Sequence, residues 1–298
     1  MLPTFADVLR ARLRIRPYLR PTPLYRYPAL DDVTGASVWV KHENHQPIGA
    51  FKVRGGINLV SQLDDSDRAC GIVGASTGNH GQSIAYAAAL FGVQATICMP
   101  EQANPVKVES MRALGADVVF VGRDFDEARE HCEKLAVERG CRYVHSGDEP
   151  LLIAGVATYT LEILEERPEI EAIVVPVGGG SGAAGACIAV AAAHPAVQVI
   201  GVQSSAAPAA YRSWKARRLV DDRMETFAEG VAMRTALALP QRVLWEHLDD
   251  FVLVSDEELR DATRLMIAKT RNLVEPAGAA ALAAVLADAN GSPAARSP

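Results

Sequence analysis

Short apolar runs alternate with longer stretches of helical spacing along this chain. Residues 37–41 (SVWVK), 71–75 (GIVGA), 95–99 (ATICM), 117–121 (DVVFV), 172–177 (AIVVPV) and 197–202 (VQVIGV) read as strands. Residues 81–91 and 106–114 read as helices between them, and residues 125–139 form a third with amphipathic spacing. Strands separated by helices of this length predict an α/β fold, with mostly parallel sheets flanked by helices.

Composition narrows the class. The chain has 298 residues, 49% apolar and 22% charged, enough for two domains. Its 30 Lys+Arg against 36 Asp+Glu give a net charge of −6, which excludes a nucleic-acid binder that relies on a strong overall positive field. The longest run of small apolar residues, 183–193, is far shorter than the roughly 20 residues of a membrane span. The first 17 residues carry Asp7 and several arginines and lack the apolar stretch of a signal peptide, so a cytoplasmic protein is expected. The cysteines Cys70, Cys98, Cys132, Cys141 and Cys187 make no CxxC pair and no metal spacing. They are expected to serve as small hydrophobes in a reducing compartment.

Three loops carry candidate chemistry. Residues 178–182 (GGGSG) join an apolar strand to a helix-like run, so their backbone N–H groups can meet an anion, usually a phosphate. The formal GxGxxG from Gly180 to Gly185 is not followed by the acidic residue a dinucleotide site needs: no Asp or Glu occurs between Ala183 and Val220. That weighs against a nicotinamide-dependent oxidoreductase and leaves a smaller phosphorylated cofactor or substrate. Residues 76–81 (STGNHG) form a second strand-to-helix turn, suited to a carboxylate. In residues 41–56 (KHENHQPIGAFKVRGG), Lys52 sits between Phe51 and Val53 with Arg54 nearby. A lysine in such surroundings has a lowered pKa and can act as an amine nucleophile. Together, a Schiff-base lysine, a phosphate loop and a carboxylate loop are the parts that pyridoxal phosphate needs to act on an amino acid.

These motifs, in this order, resemble the threonine/serine dehydratases of the tryptophan-synthase-β-like, fold-type-II pyridoxal phosphate enzymes. PTPL at 21–24, IAGVATYTLE at 153–162, AEGVA at 228–232 and LVEPA at 273–277 agree with this. The resemblance implies two α/β domains with the cofactor in a cleft: a large one formed by residues 1–71 plus 147–298, and a small mobile one at 72–146. It implies that Lys52 bonds the cofactor's aldehyde and then moves the substrate Cα proton. Phe51 would pack beside the ring, Asn79 would meet the phenolic oxygen, and Gly178, Gly179, Gly180, Ser181 and Gly182 would hold the phosphate. Gly230 and Glu275 would lie against the ring, and Ser76, Thr77, Gly78 and His80 would hold the substrate carboxylate. The implied reaction removes water from a β-hydroxy amino acid such as threonine or serine, leaving a 2-oxo acid and ammonia. A homodimer is expected by analogy.

The chain departs from the family pattern in places. Thr77 stands where serine racemases carry the serine that acts as second acid/base, and its β-branch restricts it. It remains a candidate catalytic residue for the alternative, an amino-acid racemase. Gln203 and Ala209 replace acidic residues that hold a divalent cation in some relatives, so no metal is expected. Gly147 replaces an asparagine that some relatives place near the cofactor. Family members usually continue past residues 277–288 with a strand ending near Ser-Gly-Gly-Asn, whose first residue meets the pyridine nitrogen. Residues 291–298 do not match that strand in frame, although a one-nucleotide shift gives a compatible pattern. The missing strand leaves open a catalytically impaired pyridoxal phosphate-binding protein, and KHENHQPIGAFKVRGG also resembles branches acting on bulkier substrates (phenylserine-like or of the hydroxyectoine pathway).

Overall fold

The computed structural model describes residues 1–123 and 125–289, so the frame-shift reading of residues 291–298 lies outside the described residues. The chain packs as two units. One consists of Met1–Phe5, Pro21–Asn44 and the chain from Ala157 on; the other consists of Ala6–Arg20 and His45–Val156.

In the first unit, the strands Ala172–Pro176, Gln198–Ser204 and Asp250–Val254 form a parallel sheet in that order. The helices Ser181–Ala193 and Pro276–Ala289 are apolar on nearly every side, as expected of helices pressed on a parallel sheet. Leu24–Arg26 pairs antiparallel with Trp39–Lys41 as a separate ribbon. Behind that ribbon, Lys41 Nζ lies 2.7 Å from Glu162, with side chains only 7% and 14% exposed, and donates to the Thr22 carbonyl at 2.7 Å. Removing one partner of a buried pair leaves the other charge without its counterion. Lys41→Met is therefore expected to cost about 3 kcal/mol in urea unfolding; a loss below about 1 kcal/mol would contradict the pairing.

In the second unit, the strands Asp117–Phe120, Ala95–Met99, Ile72–Ala75 and Arg142–Tyr143 form a parallel sheet in that order. The helix Phe125–Arg139 turns Ala128, Cys132 and Ala136 inward at four-residue spacing. The helix Val53–Val60 is buried along its whole length. A Cβ on Gly56 would fall 2.5 Å from the Ser83 carbonyl, and one on Gly155 would fall 2.6 Å from the Arg54 carbonyl. Residues 6–20, 45–71 and 147–156 pack with the second unit, whereas the sequence division assigns them to the large domain.

The expectation for the cysteines needs correction. Cys70 and Cys141 form a disulfide, while Cys98, Cys132 and Cys187 are free and buried. The cause is register: Ile72 pairs with Arg142 on adjacent parallel strands, bringing Cys70, two residues before Ile72, and Cys141, one residue before Arg142, to a Cα separation of 5.3 Å. Among the described residues, no helix is long and apolar enough to cross a membrane.

Candidate active site

Lys52 lies at the start of the helix Val53–Val60, and its backbone is pinned. Its carbonyl accepts from Ser83 Oγ at 2.6 Å and from the Gly55 and Gly56 amides at 3.0 and 3.3 Å. The side chain extends beside Phe51, with Nζ 5.6 Å from the ring centroid. Although the residue is only partly covered, its ammonium is desolvated, which lowers its pKa from 10.5 to about 8. A shift of this size leaves about 300-fold more neutral amine at pH 7 than an ordinary lysine has. The neutral amine is the nucleophile, so the sign is set: capture of an aldehyde should accelerate as pH rises and level off above about 8. Stopped-flow mixing of cofactor-free protein with pyridoxal phosphate tests this; a half-rise near the ordinary 10.5 would contradict it.

The STGNHG turn connects the strand Ile72–Ala75 to the helix Asn79–Phe91. Ser76 Oγ accepts from the Gly78 amide at 3.1 Å and the Gly81 amide at 2.9 Å, so this hydroxyl holds the turn itself. A Cβ on Gly78 would meet nothing within 4 Å, so the turn is open on that side. Thr77, Gly78 and Asn79 are partly exposed, while Ser76 and His80 are buried. His80 Nε2 lies 3.3 Å from the Val144 carbonyl. Burial, and next the Lys52 charge, push the His80 pKa down to about 3, so its ring is neutral at physiological pH. A neutral ring that donates through Nε2 to Val144 presents only an acceptor at Nδ1. Any hold His80 has on a carboxylate therefore comes from its backbone N–H in the first helical turn. Asn79 Oδ1 accepts from Lys107 Nζ at 3.0 Å. The structure thus gathers Lys52, Phe51, the turn and His80 within the second unit.

In the first unit, the GGGSG turn leads from the strand Ala172–Pro176 into the helix Ser181–Ala193. Gly180 stands at the helix cap with φ +86°, a conformation that favours glycine. Gly178 is needed for a different reason: a Cβ there would lie 2.2 Å from the Gly230 carbonyl oxygen. A Cβ on Gly230 would in turn lie 2.6 Å from Ala277 Cβ and 3.6 Å from Glu275 Oε1. The structure therefore brings GGGSG, AEGVA and LVEPA together. Tyr159 supports the GGGSG turn by donating to the Gly182 carbonyl at 3.3 Å.

The sequence reading missed Asp256. Its carboxylate accepts from Ser204 Oγ at 3.0 Å, Thr226 Oγ1 at 2.6 Å and the Phe227 amide at 3.2 Å, which ties the strand end and the next helix to the segment leading into AEGVA. The available signal was the capping box of Ser255 and Glu258 around it. Gln203 spends its side-chain oxygen on the Tyr211 amide at the start of the helix Ala209–Ala216.

The family model described as "Pyridoxal-phosphate dependent enzyme" matches residues 15–296. The chain is 39% identical to the L-threonine ammonia-lyase of Geobacter sulfurreducens over 287 residues, covering 96% of this chain and 71% of that protein. Among solved structures, a threonine deaminase from T.th. superposes with a TM-score of 0.92 at 37% identity, covering 98% of this chain and 95% of that one. The serine racemase from Dictyostelium discoideum gives 0.90 at 30% identity, with 95% and 92% covered. This chain belongs to the pyridoxal-phosphate dependent enzyme family. Its residues fit the cofactor: a desolvated amine suits the aldehyde, and a glycine-rich turn that leaves no room for a Cβ at Gly178 and opens a 13-residue helix suits the phosphate.

Proposed function

We propose that the protein is a dehydratase that removes water from a β-hydroxy amino acid such as L-threonine or L-serine, giving a 2-oxo acid and ammonia. The observation that carries this reading is Lys52, an amine brought to a pKa of about 8 by desolvation, next to an open helix-start turn in its own unit. The names of relatives sharing more than a third of its residues support it. Bound to Lys52, pyridoxal phosphate supplies an electron sink for the carbanion left at Cα.

The chain's own residues do the rest. Gly178, Gly179, Gly180, Ser181 and Gly182 would hold the cofactor phosphate, and Gly230 and Glu275 would bound the ring, with Phe51 beside it and Asn79 toward its phenolic oxygen. Thr77, Gly78 and the first-turn N–H groups of the helix Asn79–Phe91 orient the substrate carboxylate. Ser76 secures that turn, and His80 contributes without a positive charge. As a free amine, Lys52 Nζ would take the Cα proton; that proton and the β-hydroxyl leave, in the net, as one water, and hydrolysis of the resulting enamine consumes one water, so the net products would be the 2-oxo acid and ammonia.

A racemase is the second reading, favoured by the partly exposed Thr77 at the open turn. Thr77→Ala separates the two. Under the dehydratase reading Thr77 serves the carboxylate through its backbone N–H, which alanine keeps, so 2-oxo acid formation from L-serine at saturating substrate stays within about threefold. A fall on the order of 100-fold in D-serine formation, with D-serine as the main wild-type product, would favour the racemase. We also read residues 72–146 as the segment that moves when substrate binds. A cytoplasmic homodimer completes the proposal.

A further inference from the structure

Asn79 opens the helix Asn79–Phe91, and Lys107 lies in the helix Pro105–Ala113. The second helix is firmly placed. Asn104 caps it by accepting from the Val106 amide at 3.0 Å, and Pro105 occupies its first turn. One turn beyond Lys107, Met111 is fully buried, and a Cβ on Gly81 would come within 2.8 Å of its Sδ. The two helix starts are thus packed on each other where Lys107 Nζ meets Asn79 Oδ1 at 3.0 Å.

An ammonium has three donors and no acceptor, whereas an asparagine amide has one face of each kind. Lys107 can satisfy only the oxygen, so the amide is held with its NH₂ as the donating face. We propose that Lys107 is a positioning residue. It fixes the Asn79 amide so that its NH₂ meets the cofactor's phenolic oxygen. This rests on the reading of Asn79 as the partner of that oxygen.

A double-mutant cycle on cofactor affinity tests it, titrating cofactor-free protein with pyridoxal phosphate and with its 3-deoxy analogue, which lacks the phenolic oxygen. Lys107→Met and Asn79→Ala should each weaken pyridoxal phosphate about tenfold, a typical loss for a hydrogen bond involving a charged group. The double variant should be no weaker than Asn79→Ala alone, because Lys107 acts through Asn79. Lys107→Arg should restore affinity. Lys107→Met should leave affinity for the 3-deoxy analogue and the unfolding midpoint of the cofactor-free protein unchanged.

The proposal is overturned if Lys107→Met binds pyridoxal phosphate like wild type while Asn79→Ala does not. Additive losses, or equal weakening of both ligands, overturn it as well. If Asn79→Ala has no effect on affinity, the assignment of Asn79 falls, and the role of Lys107 falls with it.

Discussion

Lys52→Ala is expected to abolish the visible absorbance of the cofactor-loaded protein and to lower 2-oxo acid release from L-threonine by at least about 10³-fold. Two roles are lost at once, the amine that bonds the aldehyde and the base that moves the Cα proton. The fold should survive. The Lys52 carbonyl keeps its bonds from Ser83 Oγ and the Gly55 and Gly56 amides whatever the side chain is. An ammonium whose pKa has been driven down by desolvation also contributes no favourable charge to lose. The unfolding midpoint of the cofactor-free variant should therefore match wild type. A variant that keeps the absorbance band would remove Lys52 from the site.

The second large effect is expected at Gly178. A methyl group there would lie 2.2 Å from the Gly230 oxygen, and backbone cannot rotate away as a side chain can. Gly178→Ala must push GGGSG away from AEGVA, and with it from Glu275. We expect a loss of about 1–3 kcal/mol in urea unfolding and a fall of at least about tenfold in affinity for pyridoxal phosphate, because the cradle proposed to receive the phosphate is displaced. Gly78→Ala is the contrast. Its Cβ would meet nothing within 4 Å, so stability should change by less than about 1 kcal/mol. The methyl would stand on the open side of the STGNHG turn, so KM for substrate should rise while cofactor affinity holds. Equal behaviour of the two variants would contradict the division of labour between the turns.

The elements differ in how far the sequence revealed them, for physical reasons. Residues 95–99 and 125–139 were legible to the residue because an apolar run and a four-residue stripe each have one dominant solution. The strand Arg142–Tyr143 has only two residues and no period to read; only its pairing with Ile72 and Val73 defines it. The strand Asp250–Val254 is a short apolar run that periodicity does not separate from buried helix. Trp39–Lys41 was legible as a strand, but its antiparallel partner Leu24–Arg26 was not, because composition carries no register. The disulfide depends on that same information, since Cys70 and Cys141 are 71 positions apart.

The site follows the same rule. Lys52 and GGGSG stand out because a lysine among apolar neighbours and four glycines in five residues have few structural uses. Lys107 and Asp256 lie near helix starts, where charged residues ordinarily face water, and only their partners Asn79, Ser204 and Thr226 reveal them. Ser76 reads in the sequence as a substrate ligand; that its oxygen also accepts from the Gly78 and Gly81 amides is visible only once the backbone is traced.

The central claim is that this pyridoxal-phosphate dependent enzyme eliminates water from a β-hydroxy amino acid. The most direct measurement incubates purified protein, saturated with pyridoxal phosphate, with L-threonine, L-serine and phenylserine, and follows 2-oxo acid and ammonia together. Release of both in equal amounts, from wild type and not from Lys52→Ala, is the predicted result. A coloured protein that releases no 2-oxo acid from any of the three would contradict it.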